Sequence, residues 1–149
     1  MSTSTNAYYP PVGFYFSVAV DGISGTNEGS FQEVSGLNAS INLEEVKEGG
    51  ENRFTYQLPL RPTYEKLILK RGLLKGSPLI TWVSDAIQNF VFKPKTVSVK
   101  LLDENGAVLV TWTFTNAYPV AAKMSNLNAQ ENVVFTESIE LAYNYFTRQ

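Results

Sequence analysis

The chain has 149 residues, 44% of them hydrophobic and 13% aromatic, enough apolar material for one packed core and too much for a disordered segment. Lys and Arg total 12 against 14 Asp and Glu, a formal charge of −2, so no basic surplus points to nucleic acid. With neither cysteine nor histidine, disulfides, thiolate nucleophiles and Cys/His zinc sites are excluded, and the commonest general base near neutral pH is missing.

Residues 1–12 are polar and proline-bearing and read as a flexible arm; residues 13–149 read as one domain. The start lacks the charged residues and apolar stretch of a secretory leader, and no run of about 18 apolar residues occurs. Synthesis in the cytoplasm and no stable membrane insertion by the monomer are the expectations.

Phe14, Phe16, Val18 and Val20 alternate, which predicts a half-buried strand. The stretch from Asp21 to Ser30 holds three glycines and reads as a loop, followed by a strand over Phe31–Ser35. Ile41 and Leu43, then Phe54, Tyr56 and Leu58, alternate on either side of the charged segment 45–52, so residues 38–60 read as a long hairpin with an exposed tip. Leu67 and Leu69 mark a further strand, ended by Gly72. Lys66, Lys70, Arg71 and Lys75 read as a solvated face or an interface.

Ser77-Pro78 supplies an N-cap and a first-turn proline. Behind it Leu79, Val83, Ala86, Ile87 and Phe90, with Trp82 beside them, fall at helical spacing up to Lys93-Pro94. Val97, Val99 and Leu101 then alternate against Val108, Val110, Trp112 and Phe114 across Asn105-Gly106, the strongest short hairpin signal. A short strand is predicted at 120–123 and a last one over 133–146. The fold class is therefore mainly β, an antiparallel sandwich or barrel of about seven strands with one packed α-helix.

Hydroxyl and amide rows alternate with these apolar positions: Thr96, Ser98 and Lys100; Thr111, Thr113 and Thr115; Thr136, Ser138 and Glu140; and, on the long hairpin, Asn42, Glu44, Thr55 and Gln57. β-Branched threonine suits any exposed strand, and a smooth wall with few anchors for a ligand is the sharper reading. The hairpin tip, with Glu44, Glu45, Lys47, Glu48, Gly49, Gly50, Glu51 and Arg53, reads either as a protruding arm that touches a neighbour or as an ordinary exposed turn. No Gly-x-Ser-x-Gly elbow, phosphate loop or dinucleotide fingerprint is present, and no carboxylate pair stands out. Neither an enzyme nor a cofactor is expected.

Phe31-Gln-Glu-Val-Ser-Gly-Leu37, Leu67-Ile-Leu-Lys-Arg-Gly72, Trp82 in the single helix, Thr111-Trp112, Asn116-Ala-Tyr-Pro119 and the last strand with Glu137, Ile139, Glu140 and Leu141 follow in order along most of the chain. In that order and spacing the sequence resembles the tail-tube proteins of contractile phage tails and phage-derived contractile injection systems. The glycine-bearing insert between Val20 and Phe31 departs from the family pattern by its length.

The resemblance implies hexameric rings that stack into a hollow tube inside a contractile sheath, with strands of six subunits joined around the lumen. It implies as partners further copies of the chain, a sheath protein, baseplate and tube-terminating proteins and a payload in the bore, and residence in a phage tail or tail-like particle. On it, Asn42, Glu44, Thr55, Gln57, Ser98, Lys100, Thr111, Thr113, Thr136 and Ser138 become lumen candidates, and residues 45–53 become candidates for contacts between subunits or stacked rings. Ser84, Asp85 and Gln88 on the helix become candidates to face the sheath. A tube-initiating or baseplate paralogue of the same fold is the alternative; a small β-sandwich module binding carbohydrate or protein is the alternative from another class.

Overall fold

A computed structural model of the chain describes residues 15–23, 31–47, 56–72, 77–125 and 135–149. The strands are β1 (Tyr15–Val20), β2 (Glu33–Ser35), β3 (Ala39–Val46), β4 (Tyr56–Tyr64), β5 (Leu67–Gly72), β6 (Lys95–Leu102), β7 (Val108–Met124), β8 (Thr136–Ala142) and β9 (Tyr145–Arg148), with helix α1 (Pro78–Asn89) between β5 and β6. The mainly β class holds. Two predicted strands merge into β7, and the predicted last strand divides at Tyr143-Asn144, where Asn144 N–H donates to the Thr115 carbonyl. The predicted arm at 1–12 and most of the hairpin tip lie outside the described residues.

The sheet order β1-β6-β7-β8-β5-β2, with β9 also on β7, folds into two layers because β7 belongs to both. Its first half pairs with β6 and β9 and its second half with β8. Between the halves, Asn116 takes a left-handed conformation at φ 55° and the register shifts from Pro119 to Ala121, which turns the strand from one layer into the other. Phe31 closes the opposite seam, its N–H donating to the Phe16 carbonyl at 3.1 Å just before β2.

Period-two alternation sends Val18, Val20, Val97, Val99 and Phe114 inward from one layer and Leu67, Leu69, Ile139 and Leu141 inward from the other. Leu79, Trp82, Val83 and Ala86 of α1 join the same core, and α1 packs against β7. The helix starts where expected: Ser77 Oγ accepts from Leu79 N–H at 3.2 Å. It ends at Asn89, where Phe90 turns left-handed at φ 55° and its N–H returns to the Asp85 carbonyl. Phe90, predicted to be buried, is thereby exposed, and Ile87, at the edge of the helix's inward face, is 48% exposed. Trp82 fills the inward position, its Nε1 donating to the Lys93 carbonyl at 2.9 Å.

Arg71 corrects the reading of the basic cluster as solvated. Following Leu67 and Leu69 on alternate positions, it points into the core and is 1% exposed. Glu137, its cross-strand partner on β8, accepts from Nε at 2.7 Å, and Arg71 also donates to Ser77 Oγ at 3.0 Å. The guanidinium lies 5.1 Å from the centre of the Phe31 ring.

Two substitutions test this framework. Glu137→Ala takes the carboxylate away from the buried guanidinium and is expected to lower unfolding free energy by about 3–5 kcal/mol, whereas Arg71→Met with Glu137→Leu recovers most of the loss. Denaturant midpoints of the two variants check it; equal losses would show that the pair is not the source. At Gly36, φ is 85° and an added Cβ would sit 1.8 Å from the Lys66 carbonyl oxygen. Gly36→Ala is therefore expected to cost about 3 kcal/mol or more, a fall of roughly 6–12 °C in Tm by calorimetry.

Candidate assembly surfaces

The first layer, β1-β6-β7-β9, presents a face that is polar in its middle rows, with Ala19 among them and Tyr15, Leu102 and Tyr145 toward its ends. Antiparallel register lines Ser17, Lys100 and Thr111 up in one row and Ala19, Ser98, Thr113 and Thr147 in the next. Their neighbours Val18, Val97, Val99 and Phe114 point the other way, into the core. Four predicted lumen residues, Ser98, Lys100, Thr111 and Thr113, thus share one surface. Among the described residues its two edges are β9, paired only with β7, and β1, paired with β6 and touched by Phe31 at one position.

Thr136 and Ser138 are elsewhere. They lie on the outward face of the second layer, across the core from the first, because Glu137, Ile139 and Leu141 between them are buried. There they line a shallow depression of about 410 Å³ with Ser35, Ile68, Lys70 and Glu140, bordered by a Lys123–Glu140 ion pair at 3.0 Å. One set of residues predicted for a single wall is therefore divided between opposite sides of the molecule.

The β3–β4 hairpin forms its own two-stranded sheet. Glu44 pairs with Leu58 and Glu45 with Gln57, so Asn42 and Glu44 share one face while Gln57 is on the other with Glu45. Thr55, Glu48, Gly49, Gly50, Glu51 and Arg53 lie outside the described residues; Lys47 is exposed. β4 carries one extra residue opposite β3 between the Ile41–Pro62 and Leu43–Pro59 pairs. As a result Ile41 and Leu43 line up with Pro59, Pro62 and, at the base, Tyr64 on one face. Ile41 and Leu43 are 57% and 55% exposed, and Leu58 and Leu60 are about as open. A two-stranded ribbon this bare is marginal in water and is expected to find cover. Sequence alternation showed the strands but not the bulge, which decides the faces.

The helix places Gln88 in solvent and leaves Ser84 and Asp85 half-buried; Asp85 Oδ1 accepts from Asn89 Nδ2 at 3.4 Å. Beyond it stands a surface that helical spacing had assigned to the core. Phe90, 82% exposed, meets Phe92 edge-on at 4.8 Å, and Phe92 meets Tyr118 of β7 at 5.9 Å. Only the left-handed turn at Phe90 exposes it, and no local sequence signal announces that turn at a phenylalanine. Among the described residues no three His, Cys, Asp or Glu side chains gather into a metal site.

A family model described as T4-like virus tail tube protein gp19 matches residues 12–147. The chain is also similar to a chain in the cryo-EM structure of the anti-feeding prophage baseplate, symmetrised six-fold. The identity is 27%, over 95% of this chain and 96% of that one, with a TM-score of 0.80. A chain of the sheath-tube complex of the PVC extracellular contractile injection system in its extended state is 26% identical, over 99% of both chains, with a TM-score of 0.77. Hcp1 from Salmonella typhimurium shares the fold at 14% identity and a TM-score of 0.59, over 92% of this chain and 86% of that one. No curated protein matches by sequence.

The hairpin joins the body through an aromatic group with a titration signature. Asn38 Nδ2 donates to Glu65 Oε2 at 2.9 Å, the Tyr143 hydroxyl donates to the Glu65 carbonyl, and Tyr64 packs edge-on against Tyr143 and Phe146. Burial first, then the nearby Tyr64 and Glu65, push the Tyr143 phenol from 10.0 up to about 12. The unfolded phenol ionises near its ordinary value and the folded one only near pH 12. The neutral hydroxyl's contribution is thus complete below pH 10 and is lost as pH climbs through about 12. Chemical denaturation across that alkaline window should show a decline that Tyr143→Phe abolishes; an unchanged decline in the variant would assign it to another group.

Proposed function

Because this chain belongs to the family of T4-like virus tail tube protein gp19, we propose that it is the inner-tube subunit of a contractile injection machine. Six copies form a ring, rings stack into a hollow conduit, and contraction of a surrounding sheath drives that conduit through a target envelope. The chain works by stiffness and surface rather than by catalysis, inside a phage tail or tail-like particle. Its partners are further copies, a sheath protein, and proteins that start and end the tube.

One observation carries the ring: the four-stranded layer β1-β6-β7-β9 has a polar face and two open edges. In this all-antiparallel layer β9 runs opposite to β1. Rotation about a ring axis keeps strand direction, so β9 of one copy meets β1 of the next as an antiparallel pair and no edge is left over. Six such layers make a barrel of about twenty-four strands, roughly 37 Å across the backbone before tilt widens it. Its inner wall is the row of Ser98, Lys100, Thr111 and Thr113. Thr136 and Ser138, on the far side of the core, belong to the outer side, along with Ser84, Asp85 and Gln88 of α1. The hairpin, through Glu45, Lys47 and the tip segment 48–53, reaches a neighbouring copy.

The initiating or baseplate reading keeps one specific support, the likeness to a chain of the six-fold symmetrised baseplate structure. Negative-stain electron microscopy of the purified chain over a concentration series tests the proposal. Six-fold rings that stack are the expected result, rings that never stack favour the initiator, and a monomer at every concentration would count against ring formation. Charge reversal at Glu48 and Glu51 is expected to leave rings intact and shorten the stacks; tubes of normal length in that variant would remove the tip from the stacking contact.

A further inference from the structure

Two apolar surfaces stand exposed among the described residues. One is the hairpin face with Ile41, Leu43, Pro59 and Pro62. The other is the aromatic projection Phe90, Phe92 and Tyr118, with Ile87, itself 48% exposed, one turn earlier on α1. Phe90 is the sharpest oddity in the molecule. A bulky residue in the left-handed region is strained, and here the turn both caps the helix and carries the ring out into water. Yet the ring is held: the N–H groups of Phe90 and Val91 both return to the Asp85 carbonyl, and Phe92 packs against it from the segment after α1, itself backed by Tyr118 of β7.

We infer that Phe90 is a docking knob, and that its occupant is the Ile41–Leu43 face of the β3–β4 hairpin of a second copy of this chain. The inference rests on the ring-forming reading and gives the hairpin its receiving surface. Each patch exposes roughly 300 Å² at these fractions. Joined, they bury roughly 600 Å², about half of what a specific interface needs. The β9–β1 strand joint supplies the remainder. A contact between two different patches on identical chains is head-to-tail, and such contacts close rings where the rotation between copies closes, as in the proposed six-copy ring. A sheath, which must slide past the tube, calls for a more polar and releasable surface than this one. The knob is set for a permanent partner, and the rigid geometry means that little order is lost on docking.

The absence of native cysteine makes the contact directly testable. Two copies of distinguishable mass, one Leu43→Cys and the other Phe90→Cys, are assembled together and mildly oxidised. A disulfide-linked mixed dimer is expected from rings, and none when Lys100→Cys replaces Leu43→Cys. Phe90→Asn supplies a second measure, because asparagine accepts the left-handed conformation. Its thermal midpoint should be unchanged or higher while the concentration needed for rings rises at least tenfold. Wild-type rings with no 43–90 link, or Phe90→Asn rings at the wild-type concentration, overturn the pairing and leave the tube reading standing. Failure of the wild type to form rings overturns the tube reading and this contact with it.

Discussion

A guanidinium enclosed in a hydrocarbon core fixes how this chain can fold. Arg71 is tied to Glu137 on β8, to Ser77 at the head of α1 and, through its face, to the Phe31 ring that closes the seam between β1 and β2. Burying the pair brings little net stability, since desolvation offsets most of the attraction. It brings exclusivity instead. A one-residue slip of β5 against β8 would turn Arg71 to solvent and leave Glu137 alone inside, so only one alignment is tolerable. Register, helix start and seam are set by the same few atoms.

That constraint reaches the surfaces that matter outside the molecule. With β5 and β8 aligned, the second half of β7 is placed against β8, and the bend at Asn116 then sets where its first half runs. The rows of hydroxyls on β6 and β7 face outward because Val97, Val99 and Phe114 are committed to the core. Polar wall and apolar interior are two sides of one alternation.

Much of this was legible because it is local. The Asn105-Gly106 turn, the Ser77 cap and the period-two strands each depend on a few adjacent residues. The hairpin register Val97–Phe114, Val99–Trp112 and Leu101–Val110 agrees with the alternation read along both strands. What could not be read depends on partners far along the chain. Arg71 differs from Lys70 only in parity, and Glu137 lies sixty-six positions away. The lumen candidates look alike in sequence, yet the nine among the described residues divide among four surfaces: the outer faces of the two layers and the two faces of the hairpin. The bulge in β4 and the left-handed Phe90 each reverse an expected face through a single residue's backbone.

β7 runs for 17 residues without interruption through both layers. In the proposed tube, pushed lengthwise against resistance, that continuity is a load path. Sliding one layer over the other would not peel hydrogen bonds in sequence. It would have to pull a covalent strand against β6 and β9 on one side of the bend and β8 on the other, all at once. A subunit built this way resists shear with its main chain, and it can do so while the hydroxyl rows of β6 and β7 stay free of any load-bearing contact.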